Sequence, residues 1–117
     1  MKLPILEVVV CYNDRCVKTK ALFDSGSSES IIPIDIAEEI ECLRELEPTT
    51  PKYLRSIDER ELKVSYICDA TIMIDDLEME ETFLVAEWTS GVIIGVKTMD
   101  KWGVELLEEG IRIGKAK

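Results

Sequence analysis

Apolar and polar positions alternate along most of this chain, with a period of two far more often than 3.6. Residues 5–12 (Ile-Leu-Glu-Val-Val-Val-Cys-Tyr) and 15–23 (Arg-Cys-Val-Lys-Thr-Lys-Ala-Leu-Phe) read as two strands around Asn13-Asp14. That pair tolerates the positive φ of a two-residue hairpin turn. The turn sets the register: Tyr12 faces Arg15, Cys11 faces Cys16, Val9 faces Lys18 and Glu7 faces Lys20. An acid opposite a base agrees with it. Glu7, Cys11, Cys16, Lys18 and Lys20 then point outward, and Val8, Val10, Val17, Thr19, Ala21 and Phe23 point inward.

The second strand runs into Asp24-Ser25-Gly26-Ser27-Ser28, after which apolar character resumes at Ser30 to Ile34. Asp35, with Glu38 three residues on, has the capping-box pattern. It predicts a helix to about Leu46 with Ile36, Ile40 and Leu43 buried and Glu38, Glu39, Glu41 and Glu45 in solvent. Pro48 and Pro51 end it. Residues 52–57 and 60–67 predict a hairpin with a charged tip, and 68–74 with 79–86 another around Asp75-Asp76. Gly91 to Gly95 is a short apolar strand, Lys97 to Trp102 a short helix stopped by Gly103. Val104 to Leu107 and Ile111 to Ile113 form a last hairpin around Glu108-Glu109-Gly110. Many short strands, two brief helices and no βαβ rhythm predict an all-β, barrel-like fold.

Composition narrows the chemistry. The 117 residues carry a net charge of −10 and no histidine. One domain spanning 1–117 is the expectation. Acidity argues against nucleic acid or an anionic membrane surface as partner. No apolar run approaches the ~20 residues of a membrane span, and the N-terminus lacks a signal-peptide layout, so a cytoplasmic protein is expected. Without histidine, Ser-His-Asp and Cys-His systems and the usual zinc hydrolases drop out. No metal or cofactor is expected, since Asp75-Asp76 reads better as a turn than as a cation site.

The four cysteines form no close C-x-x-C pair. Cys42 and Cys68 read as buried small apolar residues. Cys11 and Cys16 face each other at about 4.5 Å between Cα atoms, near enough to bridge, although a reducing cytosol favours two free thiols.

A carboxylate at the inner end of an apolar strand is costly unless hydrogen-bonded, and Asp24 sits in that position. Leu22-Phe23-Asp24-Ser25-Gly26-Ser27-Ser28, followed by Ile31-Ile32-Pro33, resembles the active-site strand and loop of the aspartic proteases. Val92-Ile93-Ile94-Gly95 and the helix after it resemble that family's second hallmark, an apolar-apolar-Gly segment threading beside the loop. The order of elements resembles one retropepsin-like lobe over essentially the whole chain.

The resemblance implies an aspartic endopeptidase in which two carboxylates share one proton and activate water. Like charges about 3 Å apart cannot both ionise. Only one Asp-Ser-Gly is present, so it also implies a twofold homodimer contributing Asp24 from each copy. Ser25 would bond across to the partner's loop, and the Gly26 N–H would donate to a carboxylate. A Ser27 hydroxyl donating to Asp24 would favour an acidic optimum. The 52–67 hairpin would be a flap, with Ile57 near its tip, and Gly91, Val92 and Ile93 would line a channel for a peptide or protein substrate. Ile93 and Ile94 fit a core role equally well. The flap has no glycine between Thr49 and Tyr66, where the family commonly has one. A catalytically silent dimerisation or peptide-binding module is therefore the competing reading. An ordinary small barrel with an exposed Asp turn is a third.

Overall fold

The computed structural model describes residues 4–47, 52–55, 61–87, 89 and 91–114. In chain order the elements are β1 (Ile5–Tyr12), β2 (Arg15–Phe23), β3 (Ile31–Pro33), α1 (Ile34–Glu39) and β4 (Arg44–Glu45). Then come β5 (Lys52–Arg55), β6 (Glu61–Val64), β7 (Tyr66–Ile74), β8 (Leu77–Ala86), β9 (Val92–Ile94), α2 (Val96–Trp102), β10 (Val104–Leu107) and β11 (Gly110–Ile113). The first hairpin has the expected register, with Glu7 opposite Lys20 and Cys11 opposite Cys16. Asn13 supplies the left-handed turn residue at φ 55°, and Asp75 does the same at φ 51° between β7 and β8.

Six strands close into a barrel in the order β1-β2-β9-β3-β8-β7, with β7 returning to β1 through Val9–Met73, Val10–Ile72 and Cys11–Thr71. β4 adds to the other end of β7. Within this ring β9 lies between β2, to which it is parallel, and β3, to which it is antiparallel. The hairpins β5–β6 and β10–β11 are separate two-stranded sheets.

Val8, Val10, Ala21, Phe23, Ile32, Ile72, Phe83, Val92 and Ile94 fill the core, joined by Ile36, Ala37 and Ile40 after β3 and by Met99 and Trp102 of α2. Each large apolar side chain buried there stabilises the fold by about 1.5–3 kcal/mol. A smaller cluster of Val64, Ile67 and Leu84, with Leu46 and Leu54 against it, roots the β5–β6 hairpin on the barrel.

The structure corrects three expectations. First, α1 stops at Glu39 rather than near Leu46. Glu41 turns left-handed at φ 59° and the Cys42 N–H reaches back to the Ala37 carbonyl, so Leu43 lies 36% exposed and the chain leaves as β4. Asp35 makes no N-cap bond across a turn; its carboxylate accepts the N–H of Ile36, and Pro33 occupies the cap position. Second, Cys42 and Cys68 are bridged, Cα to Cα 5.2 Å, tying the end of the α1 turn to β7. Cys11 and Cys16 are bridged as well. Third, Cys11 is buried despite facing outward in the hairpin pattern, because β7 packs beside it and brings the Met73 sulfur within 3.9 Å.

The longer loop closed by Cys42–Cys68 makes it the more stabilising bridge. Replacing both cysteines by alanine should lower stability by about 3 kcal/mol, against about 2 kcal/mol or less for the Cys11–Cys16 pair. Urea denaturation of the two variants checks the order, and thiol titration of the unfolded wild type should find reactive cysteines only after reduction.

Candidate active site

β2 delivers Asp24 half-buried at the barrel rim, followed by exposed Ser25 and Gly26. The Asp24 N–H donates to the Ile94 carbonyl at 2.9 Å, continuing the β2–β9 pairing one residue past the strand. The Ser27 N–H closes the turn onto the Asp24 carbonyl at 3.1 Å, and the Gly26 N–H donates to Asp24 Oδ1 at 2.8 Å. That last bond is the carboxylate's hydrogen-bond partner among the described residues. A Cβ on Gly26 would lie 3.2 Å from the same oxygen, so a side chain there would push the carboxylate aside.

The loop is held from behind by the residues after β9. Val96 N–H donates to Ser27 O at 2.7 Å, Lys97 N–H to Ser28 O at 3.4 Å, and Gly95 N–H to Ser30 Oγ at 3.0 Å. The approach is closest at Gly95, where a Cβ would fall 2.4 Å from the Glu29 carbonyl oxygen and 2.9 Å from that of Ser27. No side chain fits there. Ser30 Oγ and Thr98 Oγ1 lie 2.5 Å apart, both residues buried. Beside them Glu29 pairs with Lys97 of α2 at 2.9 Å and, more loosely, with Lys52 at the foot of the β5–β6 hairpin at 3.9 Å. Three elements thus converge on the six residues after Asp24.

The structure therefore gathers Asp24, Ser25, Gly26 and Ser27 into one loop backed by β9, and alters two of the expected contacts. The Ser27 hydroxyl donates to the Glu29 carbonyl at 2.8 Å, so it braces the loop instead of meeting Asp24. Val92 is 1% exposed and points into the core with Ile94, which removes it from any open channel. Ile93 alternates to the other face and is half-buried, and Gly91 passes close to the Lys20 backbone. Ile57 lies outside the described residues. Ser30, Thr98 and the Glu29–Lys97 pair were missed from sequence. The available signal was a hydroxyl at the head of one apolar run, Ser30 before Ile31-Ile32-Pro33, and another on the buried side of a short helix.

An open cavity of about 410 Å³ lies away from Asp24, at the opposite end of β2, lined by Tyr12, Asp69, Thr71, Glu80, Thr82 and Lys101 among others. The Thr82 hydroxyl, together with the Arg44 guanidinium, holds the Asp69 carboxyl below the usual carboxylate range against a smaller opposing effect of burial. These partners already satisfy Asp69, which makes this a structural junction between β4, β7 and β8.

No protein-family model matches the sequence, and a search of curated proteins finds no match. Solved structures do match. The chain is similar to EIAV protease complexed with the inhibitor HBY-793, with a TM-score of 0.67 and 18% identity over 91% of this chain and 93% of that one. It is also similar to the retroviral protease-like domain of Ddi1 from Leishmania major, with a TM-score of 0.68 and 17% identity over 98% of this chain and 92% of that one. At such identities the likeness concerns the fold, which is retropepsin-like and of single-lobe form.

Two outcomes follow from the contacts. Gly95→Ala should destabilise by about 1–3 kcal/mol or more, since a backbone oxygen cannot yield as a side chain can. Gly91→Ala, facing a Lys20 oxygen at 3.1 Å, should cost less. Chemical denaturation of both variants checks the ranking. For Asp69, a lowered folded-state pKa gives stability present above the ordinary carboxylate range and lost as pH falls through the lowered value. Asp69→Asn should then trail wild type at pH 7, by less than about 1 kcal/mol because the pair faces solvent, and draw level in strong acid. Melting curves across pH test this.

Proposed function

We propose that this chain is one half of an aspartic endopeptidase, active as a homodimer in which the Asp24 carboxylates of two copies face each other across a twofold axis. The supporting observation is a single Asp-Ser-Gly loop, backed by β9 in a retropepsin-like fold, with no second such loop in the chain. One ionised Asp24 takes a proton from water as it attacks the scissile carbonyl. The other, protonated, donates to the carbonyl oxygen. Ser25, exposed at the loop, would reach the partner's loop, while the Gly26 N–H donates to the carboxylate. The acid optimum then follows only from the proton that two facing carboxylates share, because Ser27 donates elsewhere.

The β5–β6 hairpin would cover an extended peptide or protein substrate, and Gly91 and Ile93 would border it. The absence of glycine between Thr49 and Tyr66 supports a second reading, a silent dimerisation or peptide-binding module, in which the hairpin does not move as a flap. The cytoplasmic location stays part of the proposal. The two bridges weigh against it, since a reducing cytosol opens disulfides as exposed as that of Cys16. Thiol labelling at the moment of cell lysis reports which compartment chemistry applies.

Peptide-library cleavage at pH 4 to 6 should show a bell-shaped rate profile, and Asp24→Asn should reduce it by about 10²- to 10⁴-fold or more. Sedimentation should find a dimer under the same conditions. A strictly monomeric chain leaves only a peptide-binding module, and background cleavage identical in the variant leaves the module in either form.

A further inference from the structure

Ser30 and Thr98 are the two buried polar residues of the described chain, at 4% and 3% exposure. A hydroxyl taken from water costs free energy unless it is paired. Both are paired, and in a particular place. Ser30 belongs to the loop that begins at Asp24, and its carbonyl accepts the Leu84 N–H of β8 at 3.0 Å. Its hydroxyl accepts the Gly95 N–H at 3.0 Å and lies 2.5 Å from the hydroxyl of Thr98 on α2. Gly95 follows Ile94, whose carbonyl holds the Asp24 N–H. The hydroxyl pair thus joins the far end of the Asp24 loop to the residue next to the one that anchors its near end.

We propose that Ser30 and Thr98 are positioning residues for Asp24. Their hydroxyl pair sets the depth at which Ile94 and Gly95 sit behind the loop, and through it the height of the Asp24 carboxylate at the rim. The proposal rests on the protease reading for its consequence in catalysis, but not for its local geometry. Neither side chain touches substrate. Packing alone would favour an apolar pair at so dry a junction, whereas a bonded pair of hydroxyls can make one arrangement unique.

Three variants separate the hydroxyl from the volume it occupies. Thr98→Val keeps the shape and removes the hydroxyl, Thr98→Ser keeps the hydroxyl and removes a methyl, and Ser30→Ala leaves the Gly95 N–H without its acceptor. With the dimeric protein and a cleaved peptide, Thr98→Val and Ser30→Ala should lose about 10- to 100-fold in kcat with KM nearly unchanged, and Thr98→Ser should stay close to wild type. Amide hydrogen exchange of the same proteins should quicken at Asp24 and Gly95 by about tenfold or more in the two damaging variants, with Ile72 in the distant core unaffected. Equal damage from Thr98→Ser and Thr98→Val, exchange that rises uniformly, or an unchanged kcat each overturns the proposal. If wild type cleaves nothing, the protease reading fails and the exchange pattern alone decides whether the hydroxyl pair holds the loop.

Discussion

Two backbones pass each other behind Asp24 too closely for a side chain. Gly95 meets the carbonyls of Glu29 and Ser27 at distances a Cβ could not occupy, and the N–H groups of residues 95, 96 and 97 are each bonded to the loop that Asp24 opens. The rest of the site depends on this crossing. It requires β9 to lie between β2 and β3, which in turn requires the chain to travel through the β5–β6 and β7–β8 hairpins before returning. A carboxylate on a free loop would adapt to its surroundings. Here the surroundings are set by backbone geometry that no rotamer change relaxes.

The sequence offers one Asp-Ser-Gly, and the crossing is built around that one. The loop and its backing consume both edges of β9, so no room is left beside it for a second copy of the arrangement within the barrel. A second carboxylate must come from outside this domain if the pair is to form at all. Were that source a second copy, the net charge of −10 on each would repel the other until added ions screened the field.

Much of the barrel was legible because period-two alternation and turn chemistry act locally. Asn13 and the β1–β2 register, the Asp75-Asp76 turn, and Gly103 in left-handed conformation at the end of α2 all follow from residues a few positions apart. The errors arose where a distant partner decides. The apolar spacing of Ile36, Ile40 and Leu43 promised a longer helix, but the left-handed residue Glu41 and the bond from Cys42 to Cys68 turn the chain out early. Asp24 stood out by being polar in an apolar frame. The Ser27 hydroxyl looked equally available to it, and only the course of the loop shows that Glu29 takes that hydrogen bond. Val92 was misplaced for the same kind of reason: alternation says which residues share a face, not which face meets the core.

The β5–β6 hairpin is attached differently from everything around Asp24. It forms its own two-stranded sheet and rests on a satellite cluster of Val64, Ile67 and Leu84, apart from the main core. Beside the Asp24 loop, Lys52 of the hairpin and Lys97 of α2 both approach the Glu29 carboxylate. One carboxylate of the loop thus faces two parts of the fold that are rooted separately, the hairpin on its satellite cluster and the helix in the main core.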